Sequence, residues 1–336
     1  MRIEQKSLTV ADGSAGAAAK RRPVRPVVPI GFAMIALSSG AARAHGAAPD
    51  GWHDLWVSWS GDALVTAPLI VSCTLFACGV LRLRNRLGRL PPGFGIREIL
   101  CFASGVIVLA LALLSPLEGL AKALLSAHMV QHVLLVTIAP PLLVLGKPEA
   151  AWLWALPERW RRGLPRQGRL RSLLGLLSPL ARPVPAAMIH MATLWIWHAP
   201  ALFDAAVARD WLHWLEHVSF FGTAILFWRA VIKAAAGREA AASGLLACFV
   251  TLLQSGILSA LLSFAREPLY GTTQTASWGL PPLEDQQLAG AIMSIPMGMI
   301  YLGAGLAMAA RLLAAPVAER DRRAAVSPRR ILKPSP

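Results

Sequence analysis

Charge is scarce in this chain. Of 336 residues, 15% are Asp, Glu, Lys or Arg, while 55% are hydrophobic. A soluble domain of this length carries about 25% charged residues, so the composition argues against an ordinary water-soluble fold. Cysteine is also sparse. Cys73, Cys78, Cys101 and Cys248 form no CxxC pair, and all lie in apolar stretches. They read as small buried hydrophobes and argue against a disulfide framework. There is no internal repeat and no low-complexity tract. Acid is short relative to base, 18 against 33, for a net charge of +15. In a soluble protein that imbalance points to nucleic acid; here the placement of the bases explains it without any nucleic-acid partner.

What is abundant is long apolar runs, the mark of a polytopic membrane protein. Residues 1–44 have the form of a signal peptide. Lys20, Arg21, Arg22 and Arg25 precede VVPIGFAMIALSSGAA, and Ala42-Arg43-Ala44 supplies a small-x-small cleavage pattern. An external tail, 45–60, follows. A seven-helix domain, 61–313, then has spans at about 61–81, 98–117, 124–146, 184–204, 211–232, 243–264 and 287–311. A basic tail, 314–336, ends the chain. Pro140-Pro141 and Pro296 predict kinks or unwinding in the third and seventh spans. The 148–183 connection, rich in Pro, Gly and bases, has room for a surface helix.

Orientation follows from the bases. With residue 45 outside, the inside segments 82–98, 147–183, 229–243 and 311–336 hold 5, 8, 3 and 7 lysines and arginines, 23 in all. The outside connections hold three: Lys122, Arg209 and Arg266. This bias predicts an odd number of spans, a periplasmic N-terminus and a cytoplasmic C-terminus in a bacterial inner membrane.

That topology gathers the histidines on one side. His128 and His132 lie in the outer part of span three. His198 is near the outer end of span four, with His190 two turns deeper, and His213 and His217 open span five. His45 and His53 lie on the external tail. HMVQH and HWLEH each place two imidazoles on one helical face, the second with Glu216 beside it. His190 and His198 stand about 80° apart on an ideal helix, so a shared site needs a bend. A lone histidine near an interface is ordinary. Two i,i+4 pairs on separate helix ends favour a shared ligand, because ionisable groups inside a membrane are costly and usually functional.

Imidazole suits copper, zinc, nickel and haem iron, and methionine moves the choice toward copper(I). Met129, Met293 and Met297 are therefore secondary ligand candidates, against core packing as the simpler account. Cleavage after Ala44 would leave His45 as an amino-terminal copper chelator with His53 nearby. HWLEH also fits the HxxEH pattern of inverted zinc proteases, but no second acidic motif accompanies it. In the last outer loop, Glu284, Asp285, Gln286 and Gln287 stand where the chain re-enters the membrane. They read as a helix N-terminus or as an acidic shell around the histidines.

The stretches SAHMVQHVLLVTIAPPLLVLGKP (126–148), HAPALFDAAV (198–207), LHWLEHVSFFGTAILFW (212–228) and PLYGTTQTASWGLPPLEDQQLAGAIM (268–293) resemble the CtaG family of cytochrome c oxidase assembly factors. This is the multispanning type associated with caa3-type oxidases. The resemblance spans roughly residues 52–311. It implies a role in maturing the oxidase at its copper centres, with oxidase subunits as partners; the copper reading leaves room for a periplasmic copper chaperone among the partners. It carries over to His128, His132, His198, His213, His217 and Asp285; His190 and the tail histidines fall outside the matching motifs.

The reading is therefore an all-α membrane bundle of seven helices after a signal peptide. It is not an enzyme, and it holds copper, as copper(I), on outward-facing histidines, with Glu216 and Asp285 tuning them. The competing readings are a copper transporter, a metal-free scaffold and a haem-binding membrane protein.

Overall fold

The computed structural model describes residues 55–56, 59–163, 175, 178–271 and 275–326. The expected signal peptide, His45 and His53 lie outside these residues. Among the described residues the structure is helical, with no strand. Six helices are long and apolar enough to cross a bilayer, and a bent pair would make up to seven.

Helix α1 (Ala63–Leu87) starts where the Asp62 side chain accepts from Leu64 N, and it ends at Gly88, whose φ of +71° favours glycine. Helix α2 (Ile96–Leu113) stops earlier than the expected span. Ser115 then caps a separate short helix, α3 (Pro116–Ala123), with Pro116 in its first turn, where a missing N–H costs nothing.

The third span is the most instructive. Helix α4 (Leu125–Val133) passes into a π-helical turn, Leu134–Ile138, and then α5 (Ala139–Leu145). Pro140 and Pro141 lack the N–H groups that would bond Val136 and Thr137, so two carbonyls lose their helical donors in succession. The turn widens, and Trp228 Nε1 donates to Val136 O at 2.9 Å from a neighbouring helix. The expected unwinding is thus a π-turn directly below His132. Pro296 behaves differently: the helix Pro282–Val326 runs through it unbroken, because one lost donor leaves one carbonyl short, whereas the Pro140-Pro141 pair leaves two.

The 148–183 connection carries a short helix, α6 (Pro148–Ala155), with Ala151 buried against α1 at Gly79. Helices α7 (Pro183–Trp197) and α8 (Pro200–Ala208) form the bent pair, 74° apart. Pro200 ends the bonding pattern, and His198 and Ala199 make the corner. Helices α9 (Asp210–Ala234), α10 (Arg238–Ser263) and α11 (Pro282–Val326) complete the bundle. One apolar core joins α4, α7, α9, α10 and α11 and includes Met129, Phe220, Phe227 and Tyr301. A second joins α1, α2, α5 and α6 around Phe76, Phe102 and Leu143.

Candidate metal centre

Leu124 is extended (φ −121°, ψ 129°), so α4 starts abruptly at Leu125 with its first N–H groups unpaired. Asp285, at the start of α11, supplies the cap. Its carboxylate accepts from Leu125 N at 2.6 Å and Ser126 N at 3.1 Å while fully buried. That clamp sets α4 so that His128 and His132 face α9 three and seven residues further on.

Five histidines meet there. The rings of His128 and His132 are 4.3 Å apart, and those of His213 and His217 are 4.1 Å apart. Across the helices, His128 lies 5.3 Å from His213 and 6.3 Å from His217; His132 lies 5.7 Å from His217 and 6.0 Å from His198. Glu216 sits among them with no exposed surface. Its oxygens are 3.5 Å from His132 Nε2 and 3.8 Å from His128 Nε2.

His198 is oriented by the corner it occupies. Its Nδ1 donates to Leu194 O at 2.7 Å, which leaves the Nε2 lone pair available. The Tyr270 hydroxyl donates to the His198 carbonyl at 2.9 Å, and the Tyr270 ring packs on Phe203, which itself abuts His128. Burial, reinforced by Asp204 and Glu216, pushes the Tyr270 phenol well above its ordinary range, so it remains a donor.

The chemistry of this pocket lies in its missing partners. His128 Nε2, both ring nitrogens of His132, His198 Nε2, His217 Nε2 and both Glu216 oxygens are buried without a hydrogen-bond partner among the described residues. Native interiors leave few such atoms, and each costs about 1–3 kcal/mol. Lone pairs that converge without donors fit a cation. Two ligand sets qualify by distance: His128, His213 and His217, and His128, His132 and Glu216, each with ligand atoms within 4.8 Å of one another.

Other residues singled out in the sequence stand elsewhere. His190 does not join the cluster. The bend comes at His198, above it, so α7 is straight at His190, and its nitrogens bond Thr223 Oγ1 (3.0 Å) and Tyr301 Oη (3.3 Å). Met129, Met293 and Met297 are buried within the apolar core. Asp285 bonds backbone rather than imidazole, so it positions the helix and not the rings. Gln286 accepts from Leu269 N at 2.6 Å, and Gln287 donates to Ala265 O at 3.3 Å. The LEDQQ stretch is thus a set of ties between α11 and its surroundings.

Two residues escape a reading by motif. Glu118 Oε1 lies 3.8 Å from His213 Nδ1, and Gln131 Nε2 donates to Glu118 Oε2 at 2.5 Å and to Ala112 O at 2.8 Å. The signals were present: Gln131 is a carboxamide inside an apolar span, and Glu118 is the one acid between Glu98 and Glu149.

The family model for cytochrome c oxidase caa3 assembly factors (Caa3_CtaG) matches residues 74–315. The chain belongs to this family. The match takes in every element that carries the cluster, from α3 to the start of α11. Among similar curated proteins of this Caa3_CtaG chain, an uncharacterized protein of Mycobacterium bovis and one of Mycobacterium tuberculosis are each 27% identical over 244 residues. That alignment covers 70% of this chain and 36% of each relative. An uncharacterized protein of Mycobacterium leprae is 26% identical over 184 residues, 52% of this chain and 26% of its own length. The match therefore spans between about a quarter and little more than a third of the length of these relatives. No solved structure matches it.

The Asp285 clamp yields a direct expectation for this Caa3_CtaG member. Asp285→Ala strands two buried N–H groups and should lower stability by about 3 kcal/mol. Asp285→Asn, which keeps one acceptor, should cost about 1 kcal/mol. Thermal unfolding in detergent measures both, and equal losses would show that the one acceptor asparagine keeps contributes nothing.

Proposed function

We propose that this Caa3_CtaG chain carries copper as cargo on its buried histidine–glutamate cluster and delivers it to a copper centre of a haem–copper oxidase, acting without catalysis. The observation that carries this reading is the convergence of unpartnered imidazole nitrogens and a carboxylate on one buried spot. Imidazole-rich sets with incomplete geometry suit a copper ion that has to leave again. The residues assigned to hold it are His128, His132, His213, His217 and Glu216, with His198 at the margin. Copper(I) is the assigned state. Its support is the imidazole set, the methionines being buried in the apolar core.

The topology belongs to the same proposal. Counting α7 and α8 as one bent span gives seven crossings. The strong inside excess of lysine and arginine supports a periplasmic cluster and a cytoplasmic C-terminus in the inner membrane. Residues 1–44 are assigned as a signal peptide, 45–60 as an external tail, and the stretch from 314 as a cytoplasmic tail. Oxidase subunits are the acceptor partners, and a periplasmic copper chaperone is the donor.

The test is the copper content of detergent-purified protein, compared with a His132→Ala/His217→Ala variant that folds to the same helical content. One copper per chain is expected, falling below about a tenth in the variant. Unchanged content in the variant sinks the reading. Copper absent from both, with an intact interaction with oxidase subunits, favours a scaffold, and a Soret band that survives purification favours haem.

A further inference from the structure

We propose that the cluster holds a single copper ion in two alternative positions that share His128. One is an outer position formed with His213 and His217, and the other an inner position formed with His132 and Glu216. This rests on the copper-cargo reading and adds a path for the ion.

The geometry supports a step and not one enlarged site. Glu216 and His217 are adjacent on α9, so their side chains leave the helix about 100° apart, and each falls in a different ligand set with His128. On α4, His132 lies one turn further along than His128. Moving from the outer set to the inner exchanges His213 and His217 for His132 and Glu216, while His128 stays. Ligands bonded to one ion at about 2.0–2.1 Å stand roughly 3.4 Å apart. The atoms of each set lie within 4.8 Å of one another, so either set closes with shifts of about 1 Å or less per ligand.

Simultaneous filling is disfavoured. The buried unpartnered nitrogen of His128 is Nε2, and its one lone pair serves one ion at a time. Two monovalent ions in neighbouring buried positions repel each other with little screening, and one fully buried carboxylate faces them both.

The positions differ in access and in charge. The inner side chains of His128, His132 and Glu216 are 2%, 4% and 0% exposed. The outer position reaches the surface through His213, 12% exposed, beside Glu118, 18% exposed. The inner position surrounds a cation with a buried carboxylate and is the holding position. The outer one has three neutral ligands and an opening, and it is the handover position. The step is ligand exchange at constant oxidation state: inward, the metal–nitrogen bonds to His213 and His217 break as one metal–nitrogen bond to His132 and one metal–oxygen bond to Glu216 form.

Anaerobic titration of the full-length purified protein with copper(I) alone, read against a chromophoric copper(I) chelator, tests this. The wild-type chain should bind one ion. His213→Ala should still bind one ion but release it to the chelator at least about 10-fold more slowly, its port being lost. Glu216→Gln should bind one ion and release it at least about 10-fold faster, because the holding position is weakened. His128→Ala, or His128→Asn if alanine does not fold, should lose at least about 100-fold in affinity, more than either. These magnitudes follow the effect of disturbing metal ligation. Two ions per wild-type chain, equal effects of His213→Ala and Glu216→Gln on release, or a milder loss at His128 than at those positions would each overturn the two-position path and leave the cargo reading standing. No copper on the wild-type chain would overturn both.

Discussion

Glu216→Gln is expected to raise the melting temperature of the copper-free protein by on the order of 5–10 °C and to shrink the further rise that copper(I) produces. The first half follows from the fully buried carboxylate, whose two oxygens have no donor. Imidazole nitrogens lie at 3.5 and 3.8 Å, and neither oxygen has a hydrogen-bond partner among the described residues. A buried charge without a bonded partner is worth several kcal/mol of destabilisation. Glutamine has the same shape, no charge, and an amide NH2 that can donate to one of the two facing nitrogens. The gain should be about 2–4 kcal/mol, which for a chain this size gives the stated shift. The second half follows from linkage, since a ligand that binds only the folded state stabilises it according to its affinity, and the variant binds less well. A fitting control is Glu149→Gln. Glu149 is exposed and pairs at 3.4 Å with the equally exposed Arg229, so its loss should leave the melting temperature unchanged. Thermal scans in detergent, with and without copper(I), measure all of this. A copper-free Glu216→Gln protein that melts below the wild type would mean the carboxylate is structurally bonded, and the cation argument would fall.

Such a stability–function conflict is what a site built for a missing cation looks like, and it locates what a one-dimensional reading can and cannot find. Hydropathy located the apolar helices because a bilayer imposes a length, though α1 runs six residues past its expected end and α11 starts five before its expected start. The i,i+4 spacing in HMVQH and HWLEH placed each pair of imidazoles on one face because helical geometry is local. The pairings between elements were not legible. Asp285 reaches Leu125 across 160 residues, and His190 reaches Tyr301 across 111; no period connects them. The corner at His198 is implied by Pro200, but its consequence, leaving His190 below the bend, needs the path of the chain. Met129, Met293 and Met297 are buried in the apolar core, a place a thioether side chain suits as well as it suits a metal, and no period in the sequence tells the two roles apart.

Gly290→Val is expected to prevent accumulation of folded protein, and Gly290→Ala to yield protein that both melts lower and binds less copper. A Cβ at Gly290 would stand 2.3 Å from Ser263 Oγ, 2.8 Å from Ser259 O and 2.8 Å from Ser263 N. The hydroxyl can rotate away; the two backbone atoms cannot. Restoring ordinary contact requires α10 and α11 to separate by about 0.6 Å for alanine and more for valine, and such overpacking costs about 1–3 kcal/mol or above. Close approach through small residues is how helices associate in lipid, so this contact has no hydrophobic substitute. The displacement also has a target. Asp285 lies five residues up the same helix, about 7.5 Å along its axis, and its carboxylate holds the start of α4 at 2.6 Å from Leu125 N. Pushing α11 away therefore pulls on the helix that carries His128 and His132, and metal sites lose affinity when their supports move by fractions of an ångström. Two comparisons separate this route from general loss of stability. Gly79→Ala clashes harder, at 1.9 Å from Ala151 O, but in the α1–α6 contact outside the cluster; its folded fraction should keep full copper. Gly256→Ala meets nothing within 4 Å and should fold at least as well as the wild type. If Gly79→Ala and Gly290→Ala proteins, matched for folded fraction, bind copper equally, α11 does not position the site through Asp285.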